Sequence, residues 1–192
     1  VQKESRYTLM KIILASASPR RAELIRKLGA DVAVVPSDAE EVTLAGAEET
    51  AVENAKRKAL SVPAEGGVVL GADTVVASAD NRPLGKPHSE EEAFAMLREL
   101  CGRTHEVITA VCLTDGKKTV EGSEKTKVTF SAADDEALRA YIATGKPFDK
   151  AGGYGLQDKE IAPLVTKVEG DRDNVIGLPV SLVSRLLREN FL

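Results

Sequence analysis

Short apolar runs and helical stripes alternate along this chain, and each run is bounded by residues that start or stop an element. Lys11-Ile12-Ile13-Leu14-Ala15 predicts a buried strand. Ser18 followed by Pro19 marks a helix start, with serine as N-cap and proline at the first helical position, where a missing N–H costs nothing. Leu24, Ile25 and Leu28 form the apolar stripe of that helix, and Gly29 ends it. Residues 32–35 predict a second strand. A polar, acidic connection over 37–46 leads to a helix over 48–61, whose Ala51, Ala55 and Ala59 share one face at four-residue spacing. Residues 67–71 and 74–77 flank Asp73 and predict one strand or a bent pair, followed by a turn at Asn81-Arg82-Pro83. Ser89-Glu90-Glu91-Glu92 has the form of a capping box opening a helix through Leu100, with Gly102 past its end. Residues 105–114 and 117–130 alternate as two strands joined by an Asp115-Gly116 hairpin turn. A helix over 134–144 stops at Gly145 and Pro147; a strand over 161–168 and a helix over 179–189 close the chain.

Interleaved strands and helices with one long hairpin predict an α/β fold with a mixed, twisted sheet flanked by helices. At 192 residues, without a repeat or a linker-like tract, the expectation is a single domain over 10–192. Residues 1–9 are polar and precede Met10, so they read as an N-terminal extension or a leftover of cloning. A net charge of −4 argues against a nucleic-acid or membrane-surface binder held by general electrostatics, and the 4% aromatic content argues against a base-stacking platform. Two cysteines without Cys-x-x-Cys spacing fit free thiols in a reducing cytoplasm, and two histidines exclude a His/Cys zinc cluster of the usual spacing.

Several segments could carry chemistry. Ala15-Ser16-Ala17-Ser18-Pro19-Arg20-Arg21 runs from a strand into a helix N-terminus bearing two guanidiniums, a place suited to phosphate, although a plain serine cap explains it as well. Asp73, between β-branched neighbours, is either a turn residue or a sheet carboxylate that needs a partner, a metal or a shifted pKa. Asp38-Ala39-Glu40-Glu41 is a solvated acidic loop or a source of a magnesium ligand. Lys86, between Gly85 and Pro87, is a lysine fixed on a tight turn. Asp149-Lys150-Ala151-Gly152-Gly153-Tyr154-Gly155-Leu156-Gln157 allows close backbone approach to a ligand, and Gln157 has the paired donor and acceptor to read a base edge. There is no Walker loop and no Gly-x-Ser-x-Gly elbow.

Taken in order, these blocks resemble the Maf family of nucleoside triphosphate pyrophosphatases. The resemblance rests on Leu14-Ala15-Ser16-Ala17-Ser18-Pro19-Arg20-Arg21, Glu40-Glu41, Lys58-Ala59, Gly71-Ala72-Asp73-Thr74-Val75, Leu84-Gly85-Lys86-Pro87, 102–109, 149–157 and Val175-Ile176-Gly177-Leu178-Pro179, and spans Met10 to Leu192. It implies a fold similar to that of inosine triphosphate pyrophosphatases. The implied reaction is cleavage of a nucleoside triphosphate between its α and β phosphates with a divalent cation, Mg²⁺ or Mn²⁺. It implies Asp73 as catalytic acid, Glu41 as second carboxylate (both also metal ligands), Lys58 and Lys86 as active-site lysines, and Ser16, Arg20 and Arg21 as the phosphate-facing loop. Arg20, Thr74 and Gln157 match the branch acting on dTTP and UTP rather than the one acting on 7-methyl-GTP, which tends to have Trp, Gln and Glu there. Asp158 departs from the glycine usual in the family after that glutamine, and Cys101 from the commoner serine. The expected partner is a nucleoside triphosphate, with no nucleic acid and no membrane, and a homodimer is left open. A non-hydrolytic nucleotide-binding regulator of septum formation is the alternative, and it would have no need of Asp73 and Glu41.

Overall fold

A computed structural model describes residues 7–192. The chain begins with β1 (Lys11–Leu14), α1 (Pro19–Arg26), β2 (Asp31–Val34), α2 (Ala47–Leu60) and β3 (Val68–Ala77). It continues with β4 (Pro83–Leu84), α3 (Glu90–Leu100), β5 (Thr104–Thr114), β6 (Thr119–Phe130) and α4 (Asp135–Ala143), and ends with β7 (Val165–Glu169), α5 (Arg172–Ile176) and α6 (Val180–Asn190). Among the described residues the strands form one seven-stranded mixed sheet in the order β2-β1-β3-β5-β6-β7, with β4 added to β3. β1 is parallel to both β2 and β3, whereas β3, β5, β6 and β7 pair antiparallel.

The caps are local chemistry. Ser18 Oγ accepts from the Arg21 N–H, Ser89 Oγ from that of Glu92, and Asp134 Oδ1 from that of Ala137. The Glu92 carboxylate reaches back to the His88 N–H, one residue earlier than a capping box requires. At the β5–β6 hairpin Asp115 Oδ1 accepts from the N–H groups of Lys117 and Lys118, and Gly116 takes the left-handed φ of +87°.

Period-two alternation assigns each strand face to its own cluster. On one face Ile13, Val69, Val75, Ile108 and Ala110 pack against the alanine stripe of α2. On the other, Leu70, Ala72 and Val111 lie under α1 and α6, and Val76, Val107, Val128 and Phe130 lie under α3 and α4. Between these two clusters the same face turns polar, at Thr74 and its cross-strand neighbour Thr109. That interruption opens a cleft between two apolar lobes.

One open choice is decided and two expectations change. Asp73 is neither in a turn nor at a bend: β3 runs unbroken for ten residues through it, because β5 pairs with it along nearly its whole length. The strand expected over 161–168 starts only at Val165; Ile161 is buried ahead of a 3₁₀ turn, Ala162–Leu164. Tyr7, within the segment read as an extension, joins the cluster beneath α1 and α6, and its hydroxyl lies 2.7 Å from Ser184 Oγ. Residues 1–6 of that segment lie outside the described residues.

Candidate active site

The chain leaves β1 for β2 on one side, whereas it leaves the adjacent parallel strand β3 for β5 on the other, so the carboxyl ends of β1 and β3 flank a point where strand order reverses. Open α/β sheets bind ligands in the crevice at such points. Here the crevice is a cavity of about 560 Å³, within the usual range for small-molecule sites.

One wall carries acids. Gly71 and Asp73 share the β3 face toward α2. A Cβ at Gly71 would lie 2.2 Å from the Ala55 carbonyl oxygen and 2.5 Å from the Ala59 nitrogen, so glycine lets the helix touch the strand. That contact brings Lys58 and Asn54, one turn apart on α2, onto Asp73. Lys58 Nζ lies 2.7 Å from Asp73 Oδ1 and 2.7 Å from Glu41 Oε1, bridging the two carboxylates. Asp73 and Lys58 are 8% and 9% exposed, which makes this a buried ion pair. Glu41 is more open. Burial works against its charge, but the hydrogen bond and charge of Lys58, with Lys86 and Arg21 farther off, hold its carboxyl below the ordinary range.

The facing wall carries cations. Arg21 donates from Nε to the Gly177 carbonyl at 2.8 Å and from its terminal nitrogens to Thr74 Oγ1 at 3.1 Å and Ser16 Oγ at 3.4 Å. Thr74 Oγ1 is 2.9 Å from Thr109 Oγ1, which donates to the Asn174 carbonyl, so a hydroxyl chain fixes the guanidinium from below. Burial lowers the Arg21 pKa and the nearby Asp73 charge raises it in return, with a net lowering; arginine stays charged in proteins nonetheless. Arg20 grips Asp149 through its carboxylate at 2.8 Å and its carbonyl at 3.2 Å, and Lys150 holds the other Asp149 oxygen at 2.7 Å. Pro19 has no N–H and that of Arg21 is taken by Ser18 Oγ, so α1 adds positive potential here through its dipole rather than through a row of open donors.

All nine residues singled out for the site line this one cavity: Ser16, Arg20, Arg21, Glu41, Lys58, Asp73, Thr74, Lys86 and Gln157. Lys86 and Gln157 are exposed at its rim. Asp158 also lines it. Its Oδ2 accepts from the Tyr141 hydroxyl at 2.6 Å and lies 3.6 Å from Lys150 Nζ, so the unusual acid is neutralised in place. Asn54, Asp149 and Lys150 are additions that local reading passed over as individuals. Asp149 meets Arg20 across 129 positions and left no local signal. Asn54 did leave one: it stands four residues before Lys58, beside an otherwise alanine face. Among the described residues no three His, Cys, Asp or Glu side chains group as a metal cage. The Glu41–Asp73 pair still suits a hard cation of the Mg²⁺ type, which takes one or two carboxylates together with substrate phosphate oxygens.

Known proteins resemble this chain over nearly its whole length. The dTTP/UTP pyrophosphatase of Thermococcus gammatolerans is 48% identical over 181 residues, covering 94% of this chain and 97% of that protein. That of Thermococcus onnurineus is 46% identical over 182 residues, covering 94% and 98%. That of Koribacter versatilis is 45% identical over 188 residues, covering 95% and 96%. The model of the family described as Maf-like protein matches residues 11–190, and the chain belongs to that family.

Proposed function

We propose that residues 10–192 act as a single catalytic domain, a nucleoside triphosphate pyrophosphatase that hydrolyses dTTP and UTP to the monophosphate and pyrophosphate. The observation that carries this reading is the opposition of two walls across one cavity: Asp73 and Glu41 bridged by buried Lys58, facing Arg21 at a helix N-terminus. A triphosphate carries close to four negative charges, and a chain of net charge −4 binds it by concentrating cations locally. Arg20, Arg21 and Lys86 serve as phosphate ligands, donating to oxygens whose charge grows during cleavage. Asp73 orients the attacking water and takes its proton, while Lys58 holds the carboxylate in position. Glu41 and Asp73 would hold a divalent cation, Mg²⁺ or Mn²⁺, which supplies further neutralisation of phosphate charge when bound.

Gln157 at the rim offers a carbonyl acceptor and an amide donor, a match for the N3–H and flanking carbonyls of uracil and thymine. The relatives' names support the same pyrimidine preference. Cys101 and Cys112 are both free thiols, and no helix among the described residues is long and apolar enough to cross a membrane. Both facts fit action in the cytoplasm. The acids favour hydrolysis over a purely regulatory nucleotide-binding role, which would have no use for them.

A panel of nucleoside triphosphates with Mg²⁺, assayed with and without inorganic pyrophosphatase, tests the proposal. Orthophosphate is expected only with the coupling enzyme, and more of it from dTTP and UTP than from ATP and GTP. Equal orthophosphate without coupling would indicate a phosphatase instead, and a purine preference would defeat the base assignment.

A further inference from the structure

Asn54 is 4% exposed, and its carboxamide makes three hydrogen bonds inside the wall that carries the acids. Oδ1 accepts from the Val42 N–H at 2.8 Å, while Nδ2 donates to the Val42 carbonyl at 3.0 Å and to Asp73 Oδ2 at 3.2 Å. The reverse amide orientation would set Nδ2 against an N–H and Oδ1 against two oxygens, so the network admits one assignment. Val42 follows Glu41 in a connection without helix or strand. A segment of that kind moves unless something ties its backbone. Asn54 engages the Val42 peptide in both directions, as a neighbouring strand would, and its remaining N–H lies on the second oxygen of Asp73. Lys58 sits one turn along the same helix and bridges Glu41 to the first oxygen of Asp73. One face of α2 therefore fixes both acids, the lysine through their charges and the asparagine through the Val42 backbone next to Glu41 and the second oxygen of Asp73.

We propose that Asn54 is a positioning residue that sets the separation and orientation of Glu41 and Asp73 for the pyrophosphatase reaction, and this rests on the function proposed above. It touches no substrate in this role, so its loss falls on turnover rather than on nucleotide binding. A displacement of about 1 Å at a reacting group is enough to slow a reaction ~10²-fold.

Two variants separate its two contacts. Asn54→Leu has similar volume and removes all three hydrogen bonds. Asn54→Asp keeps an acceptor for the Val42 N–H but loses both donors. The measurements are kcat and KM for UTP with Mg²⁺, and amide hydrogen exchange at Val42 in the nucleotide-free protein. For Asn54→Leu we expect kcat to fall ~10²-fold with KM within about threefold, and Val42 exchange to accelerate. For Asn54→Asp we expect Val42 to stay protected while kcat still falls by about tenfold or more. Wild-type kcat in either variant overturns the proposal. Unchanged Val42 exchange in Asn54→Leu overturns it as well, and so does a rise in KM that accounts for the whole loss of kcat/KM. If Asn54→Leu does not fold, Asn54→Asp carries the kinetic test alone. A wild-type protein that releases no pyrophosphate from any nucleotide overturns the function itself, and the exchange measurement then still decides whether Asn54 clamps the loop.

Discussion

Asp73 holds Lys58 on one oxygen and Asn54 on the other, at 2.7 and 3.2 Å. A carboxylate so held can neither rotate nor drift, which is the condition a general base needs to meet one water in one place. Replacing it with asparagine keeps the shape and removes the charge. A buried ammonium stripped of its partner would cost about 3–5 kcal/mol, but Lys58 retains Glu41 at 2.7 Å. The Asp73→Asn protein should therefore fold, with a thermal midpoint within about 5 °C of wild type. Its turnover on UTP should fall ~10²-fold or more, because a proton acceptor and a metal ligand vanish together. Wild-type turnover in this variant would show that the acid holds the helix and does no chemistry. Thr74 yields a different lesson at the same scale. Its hydroxyl is occupied by Arg21 and Thr109, so whatever it contributes to base preference passes through the position of that guanidinium.

The contact between α2 and β3 delivers the acid wall, and Gly71 is what permits it. A methyl group there would have to displace backbone atoms of α2 that stand within 2.5 Å, since neither the Ala55 carbonyl nor the Ala59 amide can turn aside. Overpacking of this kind costs about 1–3 kcal/mol. Gly71→Ala should lower the thermal midpoint and also reduce kcat on UTP even in the folded fraction, because the displaced helix carries Lys58 and Asn54 away from Asp73. Calorimetry paired with active-site-normalised kinetics checks this; a destabilised variant with full specific activity would separate packing from the site. How much could be read in advance follows the same division. Elements held by local chemistry were legible: Ser18 before Pro19, Asp115-Gly116, and the alanine stripe of α2. Elements held by distant partners were not. Residues 146–164 carry three short 3₁₀ turns tied to the backbones of Gly85 and Ser131 and to the Arg20 side chain, and α5 is a five-residue helix with no period to detect. For the site, residue types matched to a resemblance led to nine cavity-lining positions, whereas Asp149 and Lys150 acquire meaning only when the fold sets them beside Arg20 and Asp158, and Asn54, marked by its spacing from Lys58, gains its partner Asp73 only there.

Across the whole molecule, one of the two lobes that flank the cleft carries a buried group sensitive to acid. The lobe under α3 and α4 contains His105, 7% exposed, edge-on to Phe130 and Tyr154 with ring centroids 5.0 and 5.4 Å away. Its Nε2 lies 2.7 Å from the Tyr154 hydroxyl, and its buried Nδ1 has no hydrogen-bond partner among the described residues. An imidazolium would have to bury a charge there, and burial lowers the pKa to about 4 from an ordinary 6.5. Between those values the unfolded chain binds a proton that the folded chain refuses. Stability contributed by the neutral ring is thus complete above pH 6.5, declines as pH falls from 6.5 toward 4, and levels off below that. A depression of this size corresponds to about 3 kcal/mol at order-of-magnitude precision. Carboxylates titrate over part of the same range, so the measurement has to be a difference. Unfolding free energies of wild type and His105→Asn, compared at pH 7 and pH 4, should converge or cross by about that amount, since the variant lacks the group that titrates. A difference that stays constant with pH would mean that His105 accepts its proton in the folded state. The consequence reaches the site because Tyr154, whose hydroxyl meets His105 Nε2, also lines the cavity, so the ring that helps bury the imidazole is shared with the nucleotide cleft.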